Sequence, residues 1–143
     1  MIDHQWIAAH IPHQGTMCLL ESVEHWSVSE ICCTALSHRD ANNPLRADGR
    51  LGISNGIEYA AQAMAVHGAL LAGDAEPAKS GYLVSVRDVR WHRQRLDDID
   101  SPLRIRATRL SGNDINVLYH FEVEADGPLL SGRASVILDA AAH

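Results

Sequence analysis

Ser54–Ala72, SNGIEYAAQAMAVHGALLA, is the stretch whose reading decides the fold. Its composition predicts one long helix. Ala60, Ala61, Ala63, Ala65, Gly68, Ala69 and Ala72 leave little side-chain bulk on any face. So smooth a rod admits backbone from several directions, as when a curved sheet wraps around it. Asn55 and Glu58 stand in the N-cap to N3 relation of a capping box. Glu58 and Gln62 lie one turn apart on one face, with Gln62 expected to hydrogen-bond the Glu58 carboxylate. A carboxylate and an amide near the start of an apolar helix are costly unless paired or used. Gly73 supplies the stop signal, with Pro77 beyond it.

Outward from this helix the pattern changes. Upstream, Arg39–Ile53 is rich in Asn, Pro, Gly and charge and is expected to be a long irregular loop. Before it, Glu21–Val28 and Glu30–Ser37 predict two strands paired around Ser27–Ser29, preceded by a turn in IPHQGTMCLL and a short docking helix in MIDHQWIAAH. Those first ten residues lack the basic and apolar regions of a signal peptide. Downstream of Gly81 the period is two. Leu103, Ile105 and Ala107 alternate with Arg104 and Arg106; Ile115, Val117, Tyr119, Phe121 and Val123 alternate with polar neighbours. Ala125–Pro128 is the turn into a last strand, Leu129–Leu138. The order is helix, strands, long helix, then a four-strand meander. The expected fold is α+β, a hotdog: one long central helix wrapped by a curved antiparallel sheet, as a single domain over residues 1–143.

The 143 residues suffice for one core. A net charge of −6 without a basic run argues against nonspecific nucleic-acid binding. No apolar run approaches a membrane span. Three cysteines, Cys18, Cys32 and Cys33, show no C-x-x-C spacing, and the nine histidines show no H-x-x-x-H pair. Neither metal site nor disulfide framework is suggested, no cofactor is expected, and the cysteines fit a reducing cytoplasm.

Several motifs carry a family resemblance. Pro12–His13 followed by Met17, Leu19–Leu20 and Glu21 is similar to the P-H-R-x-P-F-L-L-x-D motif of β-hydroxyacyl-[acyl-carrier-protein] dehydratases. Glu58–Tyr59–Ala60–Ala61–Gln62 resembles their E-A-M-A-Q helix start, whose glutamate is catalytic. Gly132–Arg133–Ala134 lies where the closing strand belongs. NPLR, GRL, GIEYAAQAMA and YLVSVRDVRWH resemble the ApeP-like branch, dehydratase-like proteins of aryl-polyene and related type II polyketide clusters. One departure stands out. The G-H-F-P-G histidine of the dehydratases corresponds to Arg50 in Asp48–Gly52, and an arginine stays protonated and cannot be a general base.

The resemblance implies Glu58 as the acid that protonates a departing hydroxyl, against its reading as a plain cap. It leaves His13, weighed against a structural turn histidine, or an imidazole from a partner chain for the base. Backbone N–H groups at the helix N-terminus would hold the thioester oxygen. Arg50, Gly56, Ile57, Gln62, Met64 and Leu83 are candidate substrate-lining residues. His67, more than two turns past Glu58, is expected to pack or to lie in an interface. Arg87, Arg90, Arg93 and Arg95 form the densest basic segment; Arg87, Trp91, Arg93 and Arg95 would share one face of a regular strand. That segment is either a solvated face or a patch for phosphopantetheine and an acidic acyl carrier protein. Three functions fit: an acyl-thioester dehydratase, a hotdog thioesterase, or a non-catalytic partner of an active dehydratase. A homodimer or heterodimer of hotdog subunits is implied.

Overall fold

The computed structural model describes residues 2–13, 15–73, 80–113 and 115–139. At its centre is helix α2, Gly56–Ala72, 17 residues long and closed by Gly73 at φ 71°, whose N–H donates to the Ala69 carbonyl. The other elements are β1 (Ile2–Asp3), α1 (His4–His10), β2 (Ser22–Trp26), β3 (Glu30–Ala35), β4 (Ser80–Trp91), β5 (Leu103–Gly112), β6 (Asn116–Glu124) and β7 (Pro128–Asp139). The seven strands form one sheet, all neighbours antiparallel, in the order β1-β2-β3-β5-β6-β7-β4. This is the hotdog arrangement expected from the helix composition.

Alternation explains the strands. In β5, Leu103, Ile105 and Ala107 are buried between exposed Arg104 and Arg106; in β6, Val117, Tyr119, Phe121 and Val123 are buried. These inward positions meet the α2 face of Tyr59, Ala60, Ala63 and Val66 in one apolar cluster. Ile115 departs from the expected alternation: it precedes β6 and is exposed.

The four-strand meander is corrected. β5, β6 and β7 run as a meander, but β4 pairs with β7 and takes the far edge of the sheet. The segment after β4 explains this placement. It turns back toward the pre-helix loop, where Ile53 N–H donates to Gln94 O and Leu96 N–H to Leu51 O, before β5 begins. Two glycines permit the close approaches. A Cβ on Gly56 would stand 2.7 Å from Leu130 Cδ2, so the start of α2 lies directly on β7. A Cβ on Gly132 would stand 2.8 Å from Phe121 Cζ and 3.2 Å from the Arg87 carbonyl. Gly68, by contrast, is exposed, and a Cβ there would meet nothing within 4 Å.

Gly132→Ala should therefore destabilise the chain by roughly 1–3 kcal/mol through overpacking. Gly68→Ala should stabilise it by about 0.5–1 kcal/mol through helix propensity. Denaturant unfolding of both variants checks the pair. A neutral Gly132→Ala would contradict the tight β4–β7–Phe121 packing.

Candidate active site

The loop before α2 is tied down by backbone and by one carboxylate. Asp48 (φ 53°) and Gly49 (φ 74°) form a two-residue turn, with Ala47 N–H donating to Arg50 O at 2.9 Å and Arg50 N–H to Ala47 O at 3.0 Å. Successive positive φ values are those of a type I′ hairpin, for which Asp-Gly is suited. Arg50 thus closes a tight turn, and its side chain is exposed. Asp97 anchors the chain as it leaves this turn: Oδ1 accepts from Leu51 N–H at 2.9 Å and from Arg95 Nε at 2.9 Å, while Arg46 Nη1 lies 3.9 Å from Oδ2. Arg95 above all, with the Leu51 amide behind it, holds the Asp97 carboxyl well below the usual carboxylate range.

At the helix start the expected capping box is absent. Asn55 is itself helical (φ −66°, ψ −15°), and its side chain makes no cap bond to α2. A 3-10 turn over Ile53–Asn55 leads into the helix and supplies the acceptors instead: Asn55 N–H donates to Gly52 O, and Gly56 N–H to Ile53 O. Asn55 Nδ2 donates back to Gly52 O at 3.2 Å. The amides of Ile53, Asn55 and Gly56 all have internal acceptors, so these three are not open to a thioester oxygen.

Released from the cap, Glu58 meets His13. His13 Nε2 lies 3.2 Å from Glu58 Oε1, with the side chains 25% and 36% exposed: sheltered, yet reachable by solvent or a ligand. Elements far apart in sequence meet here. His13 sits just after α1 and Ile11, and Glu58 is in the first turn of α2. Among the described residues the buried Nδ1 of His13 has no partner. Gln62 does not bond Glu58, a second correction. It is fully buried, its Nε2 donates to Met17 O at 2.7 Å, and its Oε1 accepts from Leu19 N–H at 2.9 Å. The buried amide is thereby satisfied by backbone that would otherwise lack partners. Nearby, Tyr59 OH joins Ser37 Oγ (2.8 Å) and Asn43 Nδ2 (3.1 Å), and Ser37 Oγ donates to Leu19 O at 2.7 Å.

Of the substrate-lining candidates, Gly56 packs on Leu130, Ile57 is partly buried, Met64 lies in the core, and Leu83 is exposed on the edge strand. Cavities of about 510 and 350 Å³ open elsewhere, the first between Glu24, Arg104 and Gly127, the second between His4, Thr16 and Asp40. None of His13, Glu58, Ile57 or Met64 lines either cavity.

The arginines do not share one regular face. β4 ends at Trp91, and Asp88 (φ 54°) marks a bulge between Arg87 and Arg90. A bulge shifts alternation by one. Arg87 pairs with Arg133 and Arg90 with Ser131, so both arginines project to the face that carries exposed Arg133. Arg133 in turn stands opposite His120. Among the described residues none of Arg87, Arg90 and Arg133 has a carboxylate within 4 Å. Arg93 and Arg95 lie beyond the strand and are engaged by Asp98 (3.6 Å) and Asp97. Arg133 escaped notice as a member of this strip because only the bulge and the β4–β7 register join it to Arg87 and Arg90.

His67 is buried as expected. Its Nε2 must donate to the Ser27 carbonyl (2.7 Å), so Nδ1 accepts from Tyr119 OH (2.7 Å). Burial lowers the pKa values of His67 and His38 and pushes Tyr119 up to about 12. All three cysteines are buried and free, with burial raising the Cys33 thiol to about 12. Among the described residues no group of three or more His, Cys, Asp or Glu side chains could hold a metal, and no helix is long and apolar enough to cross a membrane.

The chain belongs to the ApeP-like family, whose model, described as ApeP dehydratase, matches residues 5–141. No curated protein matches the sequence. Among solved structures it is similar to the dehydratase heterocomplex ApeI:P from Xenorhabdus doucetiae, with a TM-score of 0.83, 26% identity, and coverage of 94% of this chain and 91% of that one. It shares its fold with a variant of thioesterase PA1618 from Pseudomonas aeruginosa (TM-score 0.67, 11% identity, 96% and 94% covered). Thioesterase HI1161 from Haemophilus influenzae has it too (TM-score 0.69, 12% identity, 100% and 94% covered).

The pKa shifts set a pH dependence. His38 and His67 are depressed in the folded state, so their contribution is present above about pH 6.5 and lost below it. Asp97 is depressed too; its contribution is present above about pH 4 and lost as pH falls through its folded value. Unfolding free energy should thus fall in two stages on acidification. Asp97→Asn should remove the second stage and cost about 3 kcal/mol at neutral pH. Denaturation curves from neutral to acid pH check this; a deficit that stays constant throughout would contradict it.

Proposed function

We propose that this chain is the subunit of a cytoplasmic 3-hydroxyacyl thioester dehydratase that supplies a His13–Glu58 pair, acting on carrier-bound chains of the aryl-polyene or polyketide kind. The observation that carries this reading is the 3.2 Å contact between His13 Nε2 and Glu58 Oε1 in a member of the ApeP-like dehydratase family. Dehydration needs a base at C2 and an acid at the C3 hydroxyl. Neutral His13 takes the C2 proton, and the C2–H electron pair becomes the C2–C3 double bond. Glu58 in its protonated form gives its proton to the hydroxyl, which leaves as water. The pair ends as imidazolium and carboxylate in contact, so the proton can pass back and reset both groups.

A second hotdog subunit completes the site in this reading. The pair lies outside the two cavities described above, Arg50 stands where the β-hydroxyacyl-[acyl-carrier-protein] dehydratases resembled by the sequence carry their base, and ApeI:P is itself a heterocomplex. β4 is the open edge of the sheet, with Leu83, Val84 and Trp91 exposed along it. The strip of Arg87, Arg90 and Arg133 has the charge to meet an acidic acyl carrier protein. Like charges directly opposite, as at Arg87 and Arg133, are unfavourable until an anion arrives.

Incubating the chain, alone and with its partner subunit, with a 3-hydroxyacyl carrier protein should yield a product lighter by one water in mass spectrometry. Release of free acid would make the protein a thioesterase instead, and turnover indifferent to Glu58 would assign it a supporting role. Glu58→Gln should lower turnover by about 10²-fold or more while leaving the melting temperature nearly unchanged. Charge reversal at Arg87 and Arg133 should weaken carrier binding and flatten its salt dependence; unchanged affinity across a salt series would contradict the docking strip.

A further inference from the structure

We propose that Gln62 is a positioning residue for His13: it fixes the backbone on which the imidazole is mounted and thereby sets the His13–Glu58 contact. This rests on the reading of His13 and Glu58 as a working pair. Sequence spacing supplies the first premise. Glu58 and Gln62 are one helical turn apart, so both project from the same face of α2 toward the same segment. That segment carries His13 at one end and Met17–Leu19 at the other. Its Met17 carbonyl and Leu19 amide are held by the two halves of a single Gln62 side chain, at 2.7 and 2.9 Å.

Apart from Glu58, no side chain among the described residues holds the ring. Buried Nδ1 of His13 has no partner among the described residues, so no side chain orients the imidazole from behind as a carboxylate does in many catalytic histidines. Its place is therefore inherited from the backbone. Close to it are a 3-10 turn over Gly15–Met17 and Gly15 at φ 58°, and among the described residues from Gly15 to Leu20 none belongs to a strand. Gln62, wholly buried in the rigid helix, supplies the missing register. Ser37 Oγ adds a second hold at Leu19 O, farther from His13.

Nature of the side chain matters. An amide offers one donor and one acceptor in a plane, matching a carbonyl at residue 17 and an N–H at residue 19. Asparagine is a methylene too short to keep both. A carboxylate keeps the bond from Leu19 but faces the Met17 carbonyl with the wrong polarity. Methionine fills the space and keeps neither bond.

The experiment uses the full chain, with the imidazole of His13 observed by NMR and turnover measured in the complex with the partner subunit. In the native background, Glu58→Gln should visibly shift the His13 ring resonances, because the two groups touch. In Gln62→Met that response should shrink or vanish, and kcat should fall by about 10²-fold with KM little changed. Gln62→Glu, closer in shape and able to keep one bond, should retain part of both. If Gln62→Met proves too unstable, Gln62→Glu alone decides, through the same ring response. A folded Gln62 variant in which His13 still responds fully to Glu58→Gln would overturn the proposal, whatever the activity. An intact ring response to Glu58 in a protein without dehydratase turnover would overturn the functional reading instead and leave the positioning role standing.

Discussion

Seating a 17-residue helix inside one sheet is the constraint on which the rest of this structure depends. The helix has no bulk to hold the sheet away, so glycine and alanine positions set how closely backbone can approach. Gly56 rests on Leu130, and Ala60 and Ala63 are fully buried. Once α2 is enclosed, its few polar side chains must find partners in whatever chain lies over them. Gln62 meets Met17 and Leu19, and Tyr59 meets Ser37 and Asn43; His67 meets Tyr119 and Ser27; Glu58 meets His13. The polar groups of the helix thus form its connections to the surrounding elements.

The loop that precedes α2 obeys the same need for partners. Asp97 takes an amide from Leu51 and a guanidinium from Arg95, and its backbone carbonyl accepts from Arg39. Arg93 and Arg39 also face Asp98 and Asp100, so a short acidic run neutralises arginines from several segments. On the outer face of β4 and β7, Arg87, Arg90 and Arg133 remain without a carboxylate among the described residues, as do Arg50, Arg106 and Arg109 elsewhere. In a chain of net charge −6, three unpaired arginines on one sheet face form a local basic strip.

The fold was largely legible because its signals are periodic. The small-residue helix, the period-two strands and the turn at Asp126–Gly127 all appear in the sequence as they stand in the structure. Glu58 and His13 were legible as chemical types, but their contact was not, since it depends on how two distant segments converge. Asn55 misled for a physical reason: the 3-10 turn over Ile53–Asn55 holds it in helical φ and ψ, away from the extended backbone from which an N-cap side chain reaches the helix amides. Gln62 misled because helical spacing places it beside Glu58 without saying which nearby backbone lacks partners. The arginine strip was misread through one residue, Asp88, whose left-handed backbone adds a bulge and exchanges inside for outside along the end of β4. The position of β4 in the sheet was invisible to local pattern, being set by the return of residues 94–96 to Leu51 and Ile53.

The central claim is that His13 and Glu58 act as one unit, and a double-mutant cycle on turnover tests it most directly. His13→Asn, Glu58→Gln and the double variant would be compared in the complex with the partner subunit, by kcat/KM on a 3-hydroxyacyl carrier protein. Residues that act together lose little more when both are removed than when one is. The account therefore requires the double variant to be about as slow as the slower single variant. Losses that multiply would show two independent contributions and contradict the claim.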